Sequence, residues 1–87
     1  MTVFMVERDL KGITMPALAA AQQAAIAESK RMTASGTPIR YIRSTFSPDD
    51  GRCFCLFDGE SEADVGKLND DAMIPYSRIV RALDLTP

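Results

Sequence analysis

The segment RCFCLF places two cysteines, Cys53 and Cys55, one residue apart in an 87-residue chain. Three arrangements use that spacing: a soft-metal site, a redox pair, or two small apolar side chains packed in a strand. On an extended strand, residues two apart point to the same face, so both thiols align with Phe57. Their Cβ atoms then lie roughly 6–7 Å apart, at a rise of about 3.3 Å per residue. A disulfide requires about 3.8 Å between Cβ atoms, which disfavours the redox pair on a regular strand. Two thiolates can share a soft metal, yet a closed zinc site takes about four ligands. The chain has no histidine, which removes the commonest metal ligand. Further donors must come from Glu7, Asp9, backbone groups or a second copy of the chain.

Two other places carry polar chemistry. Glu7, in the segment VERD, faces away from Arg8. It is either an exposed strand end or, with groups from a neighbouring strand, a cation ligand. In the segment YIRS, strict alternation puts Tyr41 and Arg43 on one face. If that face lines a cavity, it suits a small anionic or aromatic ligand, with Arg43 neutralising the anion. If it faces solvent, it is an ordinary wet strand face.

Several function classes are excluded. Without histidine there is no serine–histidine or cysteine–histidine catalytic arrangement. No phosphate-binding glycine loop of the Walker or dinucleotide type is present. The carboxylate pairs Asp49–Asp50 and Asp70–Asp71 read as solvated turn and helix-end residues. Nothing argues for a catalyst. The formal net charge is −2 and no Lys/Arg cluster appears, which argues against a nucleic-acid partner. No apolar run approaches the ~20 residues that span a membrane. The N-terminal segment lacks a basic stretch followed by an apolar core. A cytoplasmic location with reduced cysteines is expected.

These residues need a scaffold, and the hydrophobic pattern supplies one. Thr2–Arg8 reads as a first strand, with Phe4 and Val6 on one face and Val3 and Met5 on the other. Met15–Ser35 reads as a long helix, capped by Thr14, with Pro16 in its first turn and Gly36 at its end. Its stripe of Leu18, Ala21, Ala25, Ser29 and Met32 is mostly small, which allows a close approach to a sheet. Pro38–Phe46 and Arg52–Asp58 read as a hairpin across the turn segment SPDDG. Glu60–Ala72 reads as a second helix, with Ser61 at its cap and Val65, Leu68 and Ala72 on its apolar stripe. Ser77–Leu85 reads as the last strand.

The order β-α-β-β-α-β predicts a single ferredoxin-like α+β domain over residues 1–87. Both helices cover one face of a four-stranded antiparallel sheet. The strands are apolar on both faces, so the open face predicts a homodimer packed sheet against sheet.

The chain also resembles a small bacterial family described as nickel-binding and nickel-responsive. The resemblance rests on Val6, Glu7 and Arg8 in the first strand, Tyr41 and Ser44 in the second, Phe54 and Cys55 in the third, and Pro75 before the fourth. It covers nearly the whole chain and implies a dimeric α+β barrel that binds nickel or another divalent metal. Many members carry a histidine in the second strand and another in the second helix. Here Arg43 and the segment Lys67–Asn69 stand in those elements, so no imidazole ligand carries over. Cys55 matches the family's cysteine, and Cys53 departs from its pattern. The expectation is a metal-binding protein using Glu7, Cys53 and Cys55. The alternatives are a small-ligand protein or cofactor-free enzyme of the dimeric barrel type, with a cavity near Tyr41 and Arg43, and an interaction module with no ligand.

Overall fold

The computed structural model describes residues 1–87. Six elements follow one another: β1 (Thr2–Asp9), α1 (Met15–Ala34), β2 (Ile39–Ser47), β3 (Arg52–Gly59), α2 (Glu62–Asp71) and β4 (Arg78–Arg81). The strands form one sheet in the order β2-β3-β1-β4. Every neighbouring pair is antiparallel. This is the ferredoxin-like α+β arrangement expected from the element order.

Local chemistry sets the boundaries. The Thr14 hydroxyl accepts the Ala17 N–H at 3.2 Å, satisfying one of the orphan donors at the start of α1. Ser61 does the same for Asp64 at the start of α2. Beyond α2, Met73 sits at φ 57° and Ile74 donates its N–H back to the Asn69 carbonyl at 3.0 Å. That left-handed turn ends the helix before Pro75. β4 is shorter than the Ser77–Leu85 reading. After Arg81 a single further bond, from Ala82 N–H to the Val3 carbonyl, continues the ladder, and Leu83 and Leu85 are exposed.

One face of the sheet packs against both helices. Phe4, Val6, Ile39, Cys53, Cys55 and Phe57 meet Ala25, Met32, Val65, Leu68 and Ile74 in a continuous core. Burial of this apolar area is the main stabilising term in so small a domain. The other face presents half-buried Val3, Met5, Phe54, Leu56 and Val80. Arg52 stacks over the Phe54 ring at 5.3 Å on the same face.

The second strand departs from strict alternation. Tyr41 pairs with Phe57, whereas Arg43 pairs with the adjacent residue Leu56. Ile42 is therefore an extra residue, a β-bulge. The insertion flips the phase of the strand. Tyr41, Ser44 and Phe46 point to the helix side, opposite Phe57, Cys55 and Cys53, while Arg43 and Thr45 point to the open side. The reading that put Tyr41 and Arg43 on one face is corrected by this bulge.

Candidate functional site

Between α1 and the β2–β3 side of the sheet lies a cavity of about 160 Å³. On its helix side α1 presents only the short side chains of Ala21 and Ala25 beside Leu18 and Gln22. Leu10, Leu18, Phe46 and Ile74 complete an apolar wall. The polar groups facing the cavity come from four elements: Arg8 from β1, Gln22 from α1, Tyr41 and Ser44 from β2, and Cys53 and Cys55 from β3.

These groups form a directed hydrogen-bond chain. Gln22 Nε2 donates to the Tyr41 hydroxyl at 2.8 Å. The Tyr41 and Ser44 hydroxyls are 2.6 Å apart. Ser44 Oγ donates to Cys55 Sγ at 3.0 Å. Because Ser44 spends its proton on sulfur, Tyr41 is the donor to Ser44, and Gln22 is the donor to Tyr41. Arg8 Nε reaches the same sulfur from the other side at 3.3 Å, and Arg8 NH1 donates to the Pro75 carbonyl at 3.3 Å. The Cys53 and Cys55 sulfurs are 3.8 Å apart. They are not bonded; both cysteines are free and buried.

The donors converge on one thiol. The Cys53 hydrogen bond, the Arg8 charge and the Ser44 hydroxyl together hold the Cys55 pKa down to about 5, against the opposing effect of burial. Cys53 is pushed the other way, chiefly by its hydrogen bond to Cys55 and by burial. The pair thus gives up one proton more readily than the second, and the Arg8 and Ser44 donors around Cys55 favour the charge on that sulfur.

The residues singled out from sequence are not all gathered here. Cys53, Cys55 and Tyr41 line the cavity. Arg43 does not; it lies across the sheet with its guanidinium 2.9 Å from Asp84. The cavity expected near Tyr41 and Arg43 therefore holds Arg8 in place of Arg43. Glu7 also lies on the open face, pairing with Arg52 and Arg78. It cannot join the two cysteines in a metal site of one chain, because alternation along β1 sends it through the opposite side of the sheet. No group of three or more Cys, Asp or Glu side chains converges anywhere in the chain. Arg8 and Gln22 were not legible as site residues. Arg8 had one signal: it shares inward parity with Phe4 and Val6.

Fold and site together define a ferredoxin-like α+β domain with a buried thiol pair at the floor of a small, mostly apolar cavity. The family model for the SCO4226-like nickel responsive proteins matches residues 4–81. The chain belongs to that family. It superimposes on the crystal structure of SCO4226 from Streptomyces coelicolor A3(2) with a TM-score of 0.79 at 24% identity, over 98% of this chain and 99% of that one. No curated protein matches the chain.

Nickel tests poorly against the donors present. Divalent nickel favours nitrogen and oxygen ligands in four-coordinate or larger sets. One chain offers two sulfurs, a hydroxyl, and a guanidinium 3.3 Å from one of those sulfurs. That set does not complete a nickel centre.

Proposed function

We propose that this chain is a non-catalytic metal-binding protein whose site is the Cys53–Cys55 pair. The observation that carries this reading is the sulfur–sulfur distance of 3.8 Å. Two thiolates at about 2.3 Å from a tetrahedral ion stand about 3.8 Å apart. The pair is therefore spaced as a chelate before any ion arrives, and Ser44 and Arg8 hold Cys55 in position. The family description supports a metal role, while nickel itself would need donors from beyond one chain. Free thiols of this kind suit a reducing cytoplasm.

The open sheet face supports a homodimer. Met5, Phe54, Leu56 and Val80 are apolar and half-buried there, interspersed with the Glu7–Arg52, Glu7–Arg78 and Arg43–Asp84 ion pairs. A mixed surface of apolar and charged side chains of this kind fits a protein interface. Its two-fold pairing would enclose the sheets in an α+β barrel.

A second reading is favoured by Arg8. A buried guanidinium beside an apolar cavity of about 160 Å³ suits a small anion with an apolar body.

The deciding experiment is anaerobic titration of reduced, chelator-stripped protein with zinc(II), nickel(II) and copper(I), repeated on the Cys53→Ser, Cys55→Ser double variant. One ion per chain, lost in the double variant, is the expected result. If no ion binds above the variant's background, the metal reading fails and the anion reading takes its place.

A further inference from the structure

We propose that residues 82–87 form a strap across the open sheet face and that a second copy of this chain buries Leu83 and Leu85 on the outer side of that strap. The proposal rests on the homodimer reading above and adds the segment through which the two copies meet.

One ion pair carries the argument. Arg43 belongs to β2 at one edge of the sheet, and Asp84 follows β4 at the other, with β3 and β1 between them. Neighbouring strands lie about 4.8 Å apart, so the two edges are separated by roughly 14 Å. The Arg43 guanidinium and the Asp84 carboxylate still meet at 2.9 Å. Arg43 points to the open side, level with Leu56 and Met5, so the pair closes over that face and not around its end. The residues after β4 are thereby tied across the sheet instead of trailing into solvent. Side chains alternate along them: Ala82 and Asp84 are half-buried, whereas Leu83 and Leu85 are 80% and 81% exposed. Two leucines held outward on a pinned segment form apolar area that a partner can remove from water.

Charge names the partner. Arg40 pairs with Asp58, Arg43 with Asp84, and Arg52 and Arg78 with Glu7. These pairs lie on the open face, and each arginine in them already has a carboxylate of its own chain. A nucleic acid or an acidic peptide would have to break them. A second copy leaves them intact and supplies half-buried Met5, Leu56 and Val80 for the leucines to cover. Two-fold symmetry uses the contact twice, since each strap meets the other copy's face.

The test measures the dimer dissociation constant of the full reduced chain by sedimentation equilibrium. A Leu83→Ser, Leu85→Ser double variant is expected to raise it at least about tenfold, because one buried leucine contributes about that factor or more to a binding constant. Asp84→Asn, which frees the strap and keeps both leucines, is expected to raise it too. Met15→Ser removes another exposed apolar side chain, at the start of α1, and is expected to leave it unchanged. None of these side chains belongs to the buried core, so each variant should keep its fold, which circular dichroism checks. A smaller rise in the double variant overturns the strap and leaves the dimer reading standing. So does a tighter dimer, which would show the strap competing with the second copy, and so does an equal loss in Met15→Ser. Wild type that sediments as single chains at every concentration removes both readings.

Discussion

Arg8 Nε donates to Cys55 Sγ at 3.3 Å, a contact made diagonally between β1 and β3. It joins the one buried guanidinium of the sheet to the thiol that loses its proton most readily. The thiolate absorbance near 240 nm should therefore titrate with a midpoint of about 5. Arg8→Met should move that midpoint up by more than about one unit, since a guanidinium beside an acid shifts it by about 1–3. A midpoint in the ordinary thiol range for wild type would remove the thiolate from the site.

Stability should depend on pH through the same group. The folded Cys55 pKa lies below the unfolded value of about 8.5. Its contribution is full above that unfolded value and is lost as pH falls towards about 5. Cys53, shifted upward, contributes below the unfolded value and loses that contribution as pH rises past it. Denaturant midpoints should climb from pH 5 to about 8.5. The climb should be shallower in Cys55→Ser; equal slopes in the two proteins would contradict the assignment.

Gly51 ends the β2–β3 turn at φ +75°, and a Cβ there would come within 2.3 Å of the Lys11 backbone. Its carbonyl also accepts the Leu10 N–H at 2.8 Å, so the turn anchors the loop after β1. Gly51→Ala should cost at least about 1–3 kcal/mol, because strain and overlap add. Chemical denaturation measures it; a loss below 0.5 kcal/mol, on the order of a neutral surface change, would mean that the loop moves aside freely.

Phe57 is fully buried and meets Tyr41 edge to face, with ring centroids 5.5 Å apart. Phe57→Ala should destabilise by about 3–5 kcal/mol. It should also loosen the Gln22–Tyr41–Ser44 chain that ends on Cys55. A raised thiolate midpoint in a milder Phe57→Leu variant would show that coupling; an unchanged one would separate the ring from the site.

The open sheet face gives a size prediction. Light scattering should find twice the chain mass of 9.5 kDa, and Leu56→Asp should return the single-chain mass. Wild type at the single-chain mass would leave the face uncovered and sink the dimer.

The order and type of the six elements were readable from periodicity and capping residues. Thr14, Ser61 and Gly36 act through neighbours within a few positions, so local chemistry placed them. That Phe4 and Val6 share a face, and Cys53, Cys55 and Phe57 likewise, followed from alternation, because β1 and β3 pair without irregularity; that both sets turn to the helices came only with the packed fold. The site was not readable in the same way. A one-residue bulge at Ile42 turned Tyr41 and Ser44 towards Cys55 and sent Arg43 across the sheet, and no local signal in the segment IRYIRST marks that insertion. The sulfur separation escaped for a related reason. Alternation sets the spacing of Cβ atoms, while side-chain torsions bring the sulfurs to 3.8 Å. Arg8 reaches Cys55 across 47 positions of chain, a contact that exists only once the antiparallel β1–β3 register is formed. Local propensity thus determined which elements form, and their long-range pairing decided which side chains meet and which of two identical thiols receives the Arg8 and Ser44 donors.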